Sequence, residues 1–367
     1  MNWKLRIALH VNLLAVGLLF GATYSLAAQP SKTGHSPEVM RLLAAAKEKG
    51  EREIDIIWGE QSFGGYKGAK MFEESFNRMY GLSVKVNFTP GPSMPDVAGK
   101  VTQELAAGQR SSTDLLLGTE SHFGSLINRE VLEVYDYTKL SPRITKGVVV
   151  PIGVEIATFV SGVTYNPNFL PRGEAPKKLE DVLNPKWKGK IVSTPYAAQF
   201  DRISLLPQWG PERMKAFLTK FSTHVGGLMR CGESSRIVTG EFVMMVVDCG
   251  SYYVRLERAR CAPLEHVILE DGATTSFFYW GVPRNAAHPN LAKLFINMAM
   301  SEEGQKAVYK AYETDHYALP GSQSAAELSA LKAKGIEPLR VDAQFVAKHP
   351  ELRELSQEFA KILRGNR

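Results

Sequence analysis

The chain has 367 residues, 44% hydrophobic and 22% charged, with a formal net charge of +6. That length exceeds one ordinary hydrophobic core, so two domains are expected, and the composition excludes a low-complexity chain. Lys and Arg are scattered without a concentrated basic stripe, which argues against nucleic-acid binding.

Residues 1–27 read as a secretory signal. Lys4 and Arg6 form a basic start, Leu13 to Ala22 is largely apolar, and Ser25-Leu26-Ala27 offers small residues for cleavage after about Ala27. The apolar run is too short to span a bilayer, which needs about 20 residues. No Cys lies near the cleavage point, so no lipid anchor is expected. Removing Lys4 and Arg6 leaves about +4, and the mature chain is expected in the periplasm.

After a leader over 28–35, Ser36 as N-cap with Pro37 behind it opens a helix that Gly50 stops. Ile54, Ile56 and Ile57 form a β run ending in Trp58-Gly59-Glu60-Gln61-Ser62. Phe72, Phe76 and Met79 recur at helical spacing, and 82–88 reads as the next strand. Val97, Val101 and Leu105 predict a helix before the buried strand Asp114 to Leu117. This alternation predicts parallel pairing with helices on both faces. Residues 156–165 are extended and long enough to cross between lobes. A fresh α/β unit follows the Pro185 turn: a strand over 190–193, helices near 202–208 and after Pro211, a short helix over 235–240, a strand over 242–247 and a helix over 252–260. Thr274 to Val282 is the return crossing, and helices follow from His288-Pro289 and Ser301. Ligands of such open sheets bind where strand C-terminal ends meet helix starts.

Cys231, Cys249 and Cys261 fall within one short stretch. One disulfide plus a buried thiol, three small buried side chains, or a metal cluster with His224 or His266 all remain open, and the sequence does not choose a pair.

The segment Asn184-Pro185-Lys186-Trp187-Lys188-Gly189-Lys190-Ile191, then Gly240-Glu241, Tyr252-Tyr253 and Ser301-Glu302-Glu303-Gly304-Gln305, resembles the type II periplasmic solute-binding proteins of ABC importers. The likeness is strongest to their ferric-ion-binding branch and spans roughly 50–310. It implies an α/β fold of two lobes joined by two hinge crossings, with 28–155 plus 276–367 as lobe 1 and 156–275 as lobe 2. It also implies a monomer that closes on a small solute and docks to a permease with its ATPase subunit. In that branch iron is held by adjacent tyrosines, often with a His and a Glu from the other lobe. Tyr252 and Tyr253 stand where the pair should, and Fe(III) as the transported ligand can displace phenol protons. The first loop holds Trp58, Glu60 and Gln61 but no His, and Glu60 or Glu120 is left to supply a carboxylate.

Two other cargoes are open. Trp58 and Tyr196 could sandwich an organic cation, with Glu60 and Glu120 offsetting its charge. An anion could use Thr194, Gly232 and Ser234 beside helix starts, with Arg230 or Arg236 as added donors. No nucleophile elbow, His-Glu-x-x-His, phosphate loop or dinucleotide fingerprint occurs. An enzyme on the same bilobal fold, with a Cys249 thiol and His266 as its base, is the alternative.

Overall fold

A computed structural model describes residues 34–365; the expected signal segment lies outside them. Helix α1 (Pro37–Glu48) is capped as the sequence predicts, the Ser36 hydroxyl accepting from the Val39 amide at 3.2 Å. Strand β1 (Glu53–Gly59), helix α2 (Gly65–Tyr80), strand β2 (Lys85–Gly91), helix α3 (Met94–Ala106), strand β3 (Leu116–Thr119) and helix α4 (Glu120–Leu126) follow. Then come β4 (Val149–Val150), β5 (Gly153–Val160) and β6 (Val163–Tyr165). Beyond the Pro185 turn lie β7 (Ile191–Ser193), α5 (Phe200–Ile203), α6 (Pro211–Ser222), β8 (Gly227–Leu228), α7 (Ser235–Val238), β9 (Met244–Val246), α8 (Ser251–Ala259) and β10 (Glu265–Val267). The chain returns in β11 (Thr274–Gly281), α9 (Pro289–Ala299), α10 (Glu302–Tyr312) and α11 (Gln323–Ala333). It ends in β12 (Leu339–Arg340), α12 (Ala343–Lys348) and α13 (Glu351–Arg364).

Two five-stranded sheets with separate cores result, with a two-stranded sheet beside the first, as expected for two α/β lobes. The first has the order β12-β11-β5-β4 with β3 also on β11, beside the parallel pair β1-β2. Its core gathers Trp58, Phe72, Phe76, Trp280 and Phe295, with α9 and α10 against it. The second has the order β10-β6-β9-β7-β8, and its core holds Trp187, Phe200, Trp209, Phe217 and Phe221. The parallel pairing expected of the early strands holds for β1 and β2, while β11 runs antiparallel to both β3 and β5, and β6 antiparallel to β9 and β10. For β11 the reason is the return crossing, which brings a late strand back alongside an early one.

The long strand expected over 156–165 breaks at Ser161-Gly162, so the first crossing lies there. The second crossing is the stretch between β10 and β11. Gly162 is needed at this point because a Cβ would strike the Val267 carbonyl oxygen and sit 2.9 Å from the His266 ring, where the two crossings touch.

The C-terminal helices do not all return to the first lobe. Ala343 of α12 is buried beside Phe123 and Tyr279 there. In α13, however, Phe359, Ala360 and Leu363 are buried in the second core. The apolar spacing of α13 suits either lobe, so the sequence cannot say which one receives it. No helix among the described residues is long and apolar enough to cross a membrane. Phe359→Ala should lower unfolding free energy by about 3–5 kcal/mol in urea titration, the usual loss for a fully buried Phe. A loss below about 1 kcal/mol would mean that α13 is not part of that core.

Candidate functional site

Strand β9 delivers the chain to the boundary between the lobes under backbone strain. Val247 has φ 52°, an outlier for a β-branched residue, and Gly250 has φ 124°. A Cβ at Gly250 would press to 2.8 Å from the Phe159 ring, so glycine lets α8 start against the first lobe. Tyr252 and Tyr253 are the second and third residues of α8. Adjacent helical side chains diverge by about 100°, yet in this first turn the two rings stay 4.3 Å apart between centroids.

Tyr252 is 3% exposed and packs into the other lobe's core. Its ring lies 5.7 Å from Phe159, 5.5 Å from Phe278 and 4.9 Å from Tyr312, the last residue of α10. The Tyr312 phenol interacts with those of Tyr252 and Tyr253 and with the Ser62 hydroxyl. Burial, then the neighbouring phenols, push Tyr252 and Tyr312 well above the usual phenol range. Three phenols from two lobes thus meet in one place, two of them held neutral by burial.

The disulfide Cys231–Cys249 borders this cluster and settles the cysteine question, with a Cα separation of 5.7 Å. Cys261 is free and exposed, not buried as expected. The Tyr196 hydroxyl accepts from the Cys231 amide at 3.0 Å. Gly232, at φ 84°, faces the Tyr253 ring so closely that a Cβ would lie 3.2 Å from it. Ser234, Gly232 and Tyr253 line a small cavity of about 30 Å³ beside the disulfide, enough for one water. Tyr196, Gly232, Ser234, Tyr252 and Tyr253 are therefore brought to one region.

The other candidates are placed elsewhere. Trp58 is 2% exposed, donates its indole N–H to the Leu115 carbonyl at 3.2 Å and stacks on Trp280 at 4.9 Å. It is a core residue, so the sandwich with Tyr196 does not form. Thr194 is buried and accepts from the Ala198 amide at 2.8 Å, capping its own turn. Glu60 and Gln61 are exposed beside Ser62. Arg236 is committed to Glu241. His224 meets the Asn184 carbonyl at 3.0 Å, away from the cysteines.

Glu120 is 1% exposed and spent on other partners. Its carboxylate receives the Arg202 guanidinium of the second lobe at 2.8 Å and the Phe277 amide at 3.2 Å. Arg202 also holds Asp201 at 2.8 Å and Ser121. Burial raises the Glu120 carboxyl, an effect that Arg202 opposes. Asp55, Asp114 and His288 also lie together, with ligand atoms within 4.8 Å. Asp114 already accepts from the Asp55 amide and from both the amide and ring of His288, so this cluster is a finished hydrogen-bond network.

Residues 67–338 match the family of bacterial extracellular solute-binding proteins. The chain belongs to this family. It is 24% identical over 295 residues to a protein of Serratia marcescens named Fe(3+)-binding periplasmic protein, covering 75% of this chain and 82% of the relative. Iron-bound HitA from Pseudomonas aeruginosa superposes with a TM-score of 0.65 at 18% identity, covering 84% of this chain and 99% of HitA. AfuA from Actinobacillus pleuropneumoniae, solved with fructose-6-phosphate bound, superposes with a TM-score of 0.67 at 18% identity, covering 86% and 99% of the two chains.

In this solute-binding protein the cysteine–histidine enzyme drawing has no footing, because Cys249 is in the disulfide. His266 instead faces Asp248 at 2.9 Å, off the line of a good hydrogen bond, so the contact acts as an ion pair. Asp248 outweighs the burial that lowers the His266 pKa, and the net direction is upward. A raised imidazole pKa stabilises the fold fully below the unfolded value of about 6.5, and the gain is lost as pH rises through the folded value. Urea unfolding between pH 5 and 9 should therefore show stability falling across the alkaline side of that window. In His266→Gln the fall should vanish; an unchanged profile would remove His266 as its source.

Proposed function

We propose that this protein is the solute-receiving component of an ABC importer and that its cargo is ferric ion. The single observation behind the cargo is the phenol cluster: Tyr252 and Tyr253 from one lobe meet Tyr312 from the other. Fe(III) is a hard cation that favours anionic oxygen, and its charge can displace protons from phenols that burial keeps neutral. The Serratia relative's name supports the same cargo. No His stands in the first loop; Ser62 of that loop lowers the Tyr312 pKa against the larger effect of burial, and Tyr312 is the first-lobe oxygen that completes the set.

Capture works by closure. An open form binds the ion through one lobe, and the closed form is favoured because only it makes both sets of contacts. The lobes follow the sequence reading of 28–155 with 276–367 and 156–275, adjusted so that all of β5 and β11 go with the first lobe, the bends fall at Ser161-Gly162 and between β10 and β11, and α13 goes with the second lobe. The closed complex docks to a permease driven by an ATPase subunit. A small organic cargo is less well supported because Trp58 is unavailable to it.

Purified protein loaded with ferric ion should show a visible phenolate-to-iron band and release protons on binding, so affinity should fall as pH falls. Tyr252→Phe with Tyr253→Phe should leave at most a weak, shifted band from Tyr312 and weaken binding at least about 100-fold, with circular dichroism unchanged. Tyr312→Phe should weaken it about tenfold and shift the band. Full ferric affinity in the double variant would remove the phenols from the site.

A further inference from the structure

A second cavity, of about 570 Å³, opens where α4, α5, α12 and α13 come together. It shares no lining residue with the phenol cluster or the disulfide. Its size falls within the usual range for small-molecule sites, roughly 300–1,000 Å³. Both lobes contribute: Ser121, Ser125 and Arg129 come from or follow α4, Arg202 from α5, and Arg353 from α13.

The charge on its walls is one-sided. Asp201 is the sole carboxylate among the lining residues, and both its oxygens are taken by Arg202 at 2.8 and 3.1 Å. Arg202 is itself compensated, by Asp201 and by Glu120. Its side chain is 9% exposed, and its Nε is buried without a hydrogen-bond partner. Arg129 and Arg353 have no ion pair among the described residues, unlike Arg172, Arg213 and Arg284, which each hold a carboxylate. Arg129 and Arg353, two guanidiniums without a carboxylate partner, therefore line a cavity whose one carboxylate is already neutralised by Arg202.

We propose that this cavity binds a small polyanion carrying phosphate or carboxylate groups, held between Arg129 and Arg353 with Arg202 beneath. Planar guanidinium forks suit such oxygens, and two separate forks favour a ligand with two anionic groups over a single small ion. Because its walls come from both lobes, the ligand links them at a place that shares no lining residue with the phenol cluster. The proposal does not depend on the identity of that cargo.

Pyrophosphate is the probe, with inorganic phosphate for comparison, titrated calorimetrically into the full chain at low and physiological salt. Pyrophosphate should bind at micromolar to submillimolar concentration and more tightly than phosphate, and added salt should weaken it. Arg129→Gln with Arg353→Gln, both on exposed side chains, should weaken it at least tenfold. The charge-matched control Arg52→Gln with Arg110→Gln should leave it unchanged, as should Tyr252→Phe with Tyr253→Phe. Absence of pyrophosphate binding, equal loss in the charge-matched control, or binding that survives the Arg129/Arg353 substitutions would each overturn the site. Loss in the tyrosine variant would assign the binding to the phenol cluster and overturn it equally.

Discussion

One carboxylate, that of Asp248, ties together the places where the chain changes lobes. It accepts from the Gly162 amide at 3.1 Å in the first crossing and pairs with His266 at the edge of the second. It also accepts from the Thr164 hydroxyl, and from the Gly250 amide at 3.0 Å, immediately before α8. The same side chain therefore fixes the crossings and sets the start of the helix that carries the tyrosines. A buried carboxylate with this many donors keeps its charge: burial raises its pKa, but His266, Thr164 and Gly162 outweigh that and the net direction is down. Strained Val247 is the residue just before it, so the backbone cost sits where the hydrogen bonds over-determine the geometry.

Two of the contacts between the lobes differ sharply in chemistry. Around Tyr252 the contact is aromatic, and stabilisation comes from removing ring surface from water. Around Arg202 and Glu120 it is ionic, with both side chains nearly buried. Desolvation cancels much of such a pair's attraction, so it adds little net stability, yet losing one partner costs about 3–5 kcal/mol. The aromatic contact thus supplies affinity between the lobes, and the ionic one penalises any arrangement that misaligns them.

The fold, and the placing of two adjacent phenols at a helix start within the proposed site, were legible because they rest on local signals. Alternating periodicity marked the strands, Pro and Gly marked the boundaries, and the adjacent phenols at a helix start read directly. What was not legible depends on partners far along the chain. Trp58 looks like a cleft residue in its own loop and becomes core only because Trp280 covers it. Glu120 looks like a free carboxylate until Arg202 arrives from the other lobe. Tyr312 carried no signal, since a tyrosine ending an amphipathic helix is ordinary. The left-handed backbone at Val247 and Gln199 was invisible because neither position holds the glycine that usually announces it.

The placement of the last helix changes what kind of motion the proposed closure can be. Two neighbouring strands alone would allow the halves to tilt and also to twist about the connection. Here the polypeptide makes a third passage through His349-Pro350, with Val346 of α12 pressed against α4 at Gly124 and Phe359 of α13 sunk beside α6. A stay mounted on separate helices, with proline's restricted torsion at its bend, suppresses the twist. In the proposed closure such a third tether favours rocking over twisting and so returns the same facing surfaces to register.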